Sequence, residues 1–251
     1  KDLPKNGQNG LLIYGYGGFN SAGYMRSFNS KMDAFFIKNG GIIAGPALRG
    51  GNEYGPKWHE RATHENKFKT FQDFAATAEM VHAMGLSSPQ KTAIQGWSNG
   101  GFVVAATGLL YPHSIGIVVD GNGVNDMLRK EKLDASFGNG WSYEYGDSRN
   151  KSVRDYLKKW SPVFQAQIRT KTPQMLIVNG RQDSRVNPAH SAKLALAMQS
   201  FSSTPENINL ISLNNSGHWM TSVAYQNIIA WKAQTLIWTY IFDKMGMSAR
   251  F

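Results

Sequence analysis

The strongest constraint on this chain is a set of short apolar runs that stop at or near glycine or polar turn residues. GLLIYG (10–15), GGIIAG (40–45), KTAIQG (91–96), IGIVVDG (115–121), QMLIVNG (174–180) and INLISL (208–213) recur between longer amphipathic segments. A strand with one face in water alternates apolar and polar residues. Continuous apolar runs of this length suit strands buried on both faces, as in a parallel sheet covered by helices. The segments between them supply those helices. FQDFAATAEMVHAMG puts Phe71, Phe74, Ala75, Ala78 and Val81 on one helical face and stops at Gly85. PAHSAKLALAMQS opens with Pro188, favoured in a first helical turn. Val223 to Asp243 reads as a long apolar-rich final helix. The alternation predicts an α/β fold, a mostly parallel sheet flanked by helices, in a single domain over 1–251. Residues 125–170 are expected to be irregular and aromatic, an insertion or cap within that domain.

Composition removes several function classes. The chain carries 27 basic and 17 acidic residues, a net charge of +10, but the charges are scattered. The densest run, RKEK at 129–132, already contains Glu131. A nucleic-acid binder concentrates Lys and Arg on one stripe with aromatics between them, so no nucleic-acid partner is expected. With no cysteine there is no disulfide framework, thiolate metal site or cysteine nucleophile. No stretch reaches the ~18 apolar residues of a membrane span. No metal or organic cofactor is indicated. The opening KDLPKNGQNG reads as a polar linker without a signal-peptide pattern, as expected of part of a longer protein or a processed product. Cytoplasm and periplasm both remain open.

In sheets of this kind the ligand site lies at the carboxyl ends of the strands. QGWSNGGF (95–102) follows one of the apolar runs and precedes a helical segment, with Gly96 and Gly100 flanking Ser98. Strand, tight turn and helix around G-x-S-x-G form the context of a nucleophile elbow. A serine hydroxyl needs a general base within hydrogen-bond reach. Of six histidines, His82 and His190 fall inside amphipathic helices and His113 follows Tyr-Pro at a helix end. His218, in LNNSGHWM directly after the last strand, stands at the functional edge. The orienting carboxylate is Asp183 in LIVNGRQDSRV or Asp120 in IGIVVDG; both positions are physically possible. Asp183 is favoured because its strand adjoins the histidine strand in sequence. Ser98, Asp183 and His218 then run in the α/β-hydrolase order of nucleophile, acid and base. An oxyanion hole needs donors aimed at the developing charge. The Asn99 N–H is one, and the loop expected after the third strand, GYGGFN at 15–20, offers the Tyr16 hydroxyl.

With these residues in place, nearly the whole chain resembles the catalytic domain of the prolyl oligopeptidase family of serine peptidases. YGYGGFN, RGGNEYG followed by WHE, FQDF, GxSNGG, NDML, DSRVNPAHS and SGH occur in the family's order and spacing. The resemblance implies Ser98, Asp183 and His218 as the triad, with Tyr16 and Asn99 as oxyanion donors. It implies that Trp141 stacks on a substrate proline ring in a pocket lined by Phe19, Val124, Tyr145 and Val186. Arg185 would bond a substrate carbonyl one residue further from the cut. Proline offers a flat apolar ring and no N–H, so an aromatic-walled pocket suits it. Short peptides are the implied substrates, and the family's β-propeller is absent from these residues. Three positions depart from the family pattern. Trp97 replaces a second glycine, as in the dipeptidyl peptidase branch. Asn122 stands where an apolar pocket residue is usual and is expected to weaken proline preference. Trp219 follows the histidine in place of glycine and is expected to narrow the approach. A carboxylesterase or an acylaminoacyl- or dipeptidyl-type hydrolase would use the same triad, and a non-catalytic binding module is the remaining class.

Overall fold

The computed structural model describes residues 3–21, 31–134, 141–219 and 226–249. Each apolar run carries one strand, β3 passing one residue beyond its run: β1 (Leu11–Tyr14), β2 (Ile42–Ala44), β3 (Thr92–Trp97), β4 (Ile117–Gly121), β5 (Gln174–Gly180) and β6 (Ile208–Leu213). They form one sheet in the order β2-β1-β3-β4-β5-β6. Every pairing is parallel, with Ile13 opposite Ile94, Gly96 opposite Asp120 and Asp120 opposite Ile177. The order reverses between β1 and β3, because β1 connects outward to β2 while β3 begins the other half. That switch point opens a crevice at the carboxyl ends of β1 and β3.

Helices follow between the strands: α1 (Lys31–Lys38), α2 (Pro56–Glu60), α3 (Phe68–Ala83), α4 (Asn99–Leu110), α5 (Lys130–Leu133), α6 (Ser142–Tyr145), α7 (Lys151–Lys158), α8 (Pro162–Gln167), α9 (Ala189–Phe201) and α10 (Gln226–Met245). Strand side chains alternate between two cores. Leu11, Ile13, Ile94, Val118, Met175 and Ile177 pack with α3, α4, α8 and α9. Leu12, Tyr14, Ala93, Ile117, Val119, Leu176 and Val178 pack with α1 and α10. Two buried faces explain why the strands read as unbroken apolar runs. The five α3 residues placed on one face are all buried. Nearly all of α4 is buried, wedged between the sheet and α3 and α8, so it is apolar all round. Residues 223–225 of the expected final helix lie outside the described residues.

Residues 125–170 are more regular than expected. They carry α5 to α8, with 135–140 outside the described residues. These helices are too short for a 3.6-residue period to register. Their starts are local: Pro162 opens α8, and the Asn150 side chain accepts from Ser152 N (3.0 Å) to cap α7. The aromatics of this region belong to the main core. Phe102 of α4 packs against Tyr145 (5.5 Å between ring centres) and Trp160 (5.4 Å), and against Phe71 of α3 (5.6 Å). Phe102→Ala should therefore cost about 3–5 kcal/mol, the range for removing a buried aromatic ring. Urea unfolding should show a lower midpoint with an unchanged slope.

Candidate active site

β3 passes into α4 through a single residue. Ser98 sits at φ 59°, ψ −120°, a region L-residues avoid at a cost on the order of 1–3 kcal/mol. It is held there because its N–H donates to Gly121 O (2.8 Å) and its carbonyl accepts from Phe102 N (3.1 Å). The flanking glycines are required sterically. A Cβ on Gly96 would lie 2.2 Å from Gly100 O, and one on Gly100 would lie 2.7 Å from Gly15 O. The first amides of a helix have no partner within it, and Asn99 supplies the first amide of α4.

His218 and Asp183 meet at the ends of β6 and β5. The Nδ1 of His218 lies 2.7 Å from Asp183 Oδ2, and the side chains are 6% and 0% exposed. Asp183 Oδ1 accepts from the N–H groups of Arg185 (2.8 Å) and Val186 (2.9 Å), which hold the carboxylate in place. A proton on Nδ1 shared with Asp183 leaves Nε2 as the acceptor nitrogen. Nε2 is buried and has no hydrogen-bond partner among the described residues. Asp120 is elsewhere. It lies inside β4, not beyond its end, and its Oδ2 accepts from Asn125 Nδ2 (2.6 Å). Complete burial pushes its carboxyl up to about 7, with the Asn125 bond opposing.

The other histidines have structural partners. His190 Nδ1 accepts from Asp126 N and its Nε2 meets Asp134 Oδ2 (2.8 Å). His82 bonds Thr92 Oγ1 (2.7 Å), His64 faces the carbonyls of Ser142 and Tyr143, and His113 lies 3.6 Å from Glu79 at the surface. His59 is buried against Glu144 (2.7 Å).

GYGGFN follows β1, the first strand among the described residues and not the third, on the far side of the switch point from Ser98. The Asn99 side chain ties this loop to α6: its Nδ2 donates to Tyr16 O (2.6 Å) and its Oδ1 accepts from the Tyr145 hydroxyl (2.6 Å). A buried ion network missed by sequence reasoning holds the next residues. Lys67 Nζ donates to Gly17 O (2.8 Å), Phe19 N donates to Glu144 Oε2 (3.0 Å), and Lys67 pairs with Glu144. Burial pushes the Glu144 carboxyl up, but Lys67 and His59 outweigh it and leave it below its ordinary value. Burial holds the Lys67 ammonium below its own. Each residue stands in a polar word, WHE, HENK or SYEY, yet nothing in spacings of 77 and 85 residues pairs them.

The aromatic residues implied by the resemblance come together. The Phe19 ring meets Trp141 (6.1 Å) and Tyr145 (5.7 Å) edge to face, and Trp141 stacks on Tyr145 (6.0 Å, 17°). Val124 and Val186 are buried in the same core, while Arg185 is exposed. Trp219 is 60% exposed beside the His218 ring. Asn122 departs from expectation. Its amide is engaged internally, Nδ2 donating to His218 O (2.6 Å) and Oδ1 accepting from Gly180 N (3.0 Å). No unpaired amide is left to oppose an apolar ligand. Among the described residues no group of three or more His, Asp or Glu is arranged to hold a metal ion, and no helix is long and apolar enough to cross a membrane.

The family model described as Prolyl oligopeptidase family matches residues 26–244. The chain belongs to the prolyl oligopeptidase family. This family of serine peptidases includes a prolyl endopeptidase of Elizabethkingia meningoseptica, 39% identical over 87% of this chain and 30% of its own length. A prolyl endopeptidase of Dictyostelium discoideum is 37% identical over 74% of the chain and 24% of its own length. A solved prolyl endopeptidase structure superposes with a TM-score of 0.88 at 31% identity, covering 99% of this chain and 36% of the other. A post-proline cleaving enzyme from Rickettsia typhi gives 0.86 at 27% identity, covering 98% and 34%. The chain thus spans about a third of the length of these solved structures, and its architecture is their α/β-hydrolase fold.

Within this prolyl oligopeptidase fold Asp120 makes a stability prediction. Its folded value, about 7, lies above the ordinary 3.8, so its contribution is fully present below the ordinary value and is lost as pH rises through about 7. Between about pH 4 and 7 the wild type should lose roughly 2–4 kcal/mol relative to Asp120→Asn, at ~1.4 per pH unit and less any relaxation. Urea unfolding of both proteins across that range measures the difference. A flat difference would mean that the carboxyl titrates alike in both states.

Proposed function

We propose that this chain cleaves short peptides on the carboxyl side of proline through an acyl-enzyme on Ser98. The observation that carries the reading is the His218–Asp183 bond, which orients an imidazole whose Nε2 is otherwise unclaimed, at the strand ends that also present the Ser98 elbow. In this reading Nε2 takes the Ser98 proton as the hydroxyl attacks the scissile carbonyl. Asp183 stabilises the imidazolium, and the proton then passes to the leaving amine. The Asn99 N–H and the Tyr16 hydroxyl bond the oxyanion of the tetrahedral intermediate. Water repeats the sequence to release the acyl group.

Proline selectivity is supported by the Phe19–Trp141–Tyr145 aromatic cluster, with Val124 and Val186 buried in the same core, and by the prolyl endopeptidase relatives. Arg185 supplies the carbonyl contact one residue further along the peptide. An aromatic contact contributes ~0.5–1.5 kcal/mol beyond area, and burying a proline-sized ring roughly 1.5–3 kcal/mol. Together they give ten- to about a thousand-fold preference over alanine at ~1.4 kcal/mol per factor of ten. An ester hydrolase would share the triad but have no use for this selectivity.

Ser98→Ala and His218→Ala should each abolish turnover while remaining folded, because a triad acts as a unit. Asp183→Asn should lower kcat by ~10⁴ with little change in KM. Tyr16→Phe should lower kcat ~10–10³-fold. Trp141→Ala should erase the preference for a peptidyl-prolyl amide over the alanyl amide yet spare a small aryl ester. Equal cleavage of the two amides by the wild type would end the proline reading and leave the hydrolase reading standing.

A further inference from the structure

The backbone carbonyl of His218 accepts two side-chain hydrogen bonds from residues outside the catalytic machinery. Trp97 Nε1 donates at 2.8 Å and Asn122 Nδ2 at 2.6 Å. Trp97 directly precedes Ser98, and Asn122 follows β4. Asn122 is anchored in turn, its N–H donating to Val178 O (2.9 Å) and its Oδ1 accepting from Gly180 N (3.0 Å). The ends of β3, β4 and β5 thereby converge on one atom of the loop that follows β6. The surroundings are shaped for this. A Cβ on Gly121 would lie 1.8 Å from Trp97 Cε3, so only glycine lets the indole cross β4 to reach the carbonyl. Asn122 sits at φ 45°, a left-handed conformation that asparagine tolerates better than larger residues.

We infer that Trp97 and Asn122 are positioning residues that clamp the His218 loop and fix the distance between the base and Ser98. The inference rests on the reading of His218 as the base. Trp219 beside it is exposed, and among the described residues the other ties of this loop are the Asp183 bond, the backbone bonds at Ser216 and Leu213 and the Arg181–Asn214 side-chain bond. The Asp183 bond sets the ring's tautomer and direction. The carbonyl clamp sets where the ring is hung. A shift of about 1 Å between reacting groups can cost 10²-fold in rate, so a clamp of this kind acts on kcat and leaves ground-state binding alone.

Trp97→Phe removes one donor and keeps an aromatic ring. Asn122→Gly removes the other and suits the positive φ, while Asn122→Asp keeps the acceptor for Gly180, loses the donor and sets a carboxyl group against the His218 carbonyl. These variants, singly and as Trp97→Phe/Asn122→Gly and Trp97→Phe/Asn122→Asp doubles, are made in the full-length protein and assayed on a peptidyl-prolyl amide. A serine-directed phosphonate gives two further readings: the final labelled fraction counts folded sites, and the labelling rate reports their reactivity. Because two donors share one acceptor, each single variant should lose only about 2–5-fold in kcat per labelled site. Each double should lose about 10²-fold, more than the product of the singles, with KM within about twofold and the labelling rate falling in parallel. A double variant whose kcat per labelled site stays within about twofold of wild type overturns the clamp, as does a loss explained wholly by fewer labelled sites. His218→Ala run alongside separates the two claims. If it turns over, the base reading falls and takes the clamp with it; if it is inactive while the doubles are not, only the clamp falls.

Discussion

One steric contact governs the geometry of this molecule: the approach of Gly96 to the carbonyl of Gly100, which no residue with a Cβ would permit. It lets a strand become a helix across a single residue, and it places Ser98 in strained backbone that the rest of the fold must hold. The parallel sheet does this holding. Gly121 at the end of β4 accepts the Ser98 amide, and α4 is walled in by the sheet on one side and by α3 and α8 on the other. The same short helix start lets the loop after β1 come against Gly100, since a Cβ there would strike Gly15 O and approach Tyr16 Cα. The switch point between β1 and β3 supplies a crevice, and the glycines let the β1 loop and the start of α4 approach each other there.

Around that crevice the fold takes charged groups out of water and satisfies them. Lys67, Glu144 and His59 are almost wholly buried, a costly arrangement unless every partner is present. Here the partners include the backbone: Gly17 O and Phe19 N complete the network. The ions therefore fix a loop instead of merely pairing with each other. A second network, His190 with Asp134 and Lys193 with Asp126, joins the α5 region to α9. Both networks bind the irregular connections to the regular layers, where hydrophobic contact alone would leave register free.

Much of this was readable in advance. The six runs marked the six strands of the described residues because burial on both faces imposes an apolar continuity that helices and loops do not share. Gly96 and Gly100 marked the elbow because they are its steric condition, and His218 and Asp183 lay where parallel strands end. Asp120 was ambiguous only because a strand's last residues cannot be told from the loop beyond. The structure puts it inside β4 facing Asn125, while Asp183 lies beyond β5 and meets the histidine. The four helices of 125–170 were invisible for a different reason, being one or two turns long. The Lys67–Glu144–His59 network and the turn of Asn122 into the protein were not legible at all, since both depend on residues brought together by the completed sheet.

The case of Asn122 shows how a polar residue can belong to an apolar site. A buried amide opposes an apolar ligand only while its donor and acceptor are unmatched. In this chain Asn122 is matched by His218 O and Gly180 N, Asn99 by Tyr16 O and the Tyr145 hydroxyl, and Glu144 by Lys67, His59 and Phe19 N. The polar groups around the aromatic cluster are thus turned on one another, while Trp141 and Tyr145 lie almost wholly buried beside the Phe19 ring. His218 Nε2 is the contrasting case, a buried nitrogen that the described fold leaves without a partner. On the proposed reading these two arrangements serve separate tasks: an apolar cluster to recognise a ring without an N–H, and one oriented nitrogen to take a proton.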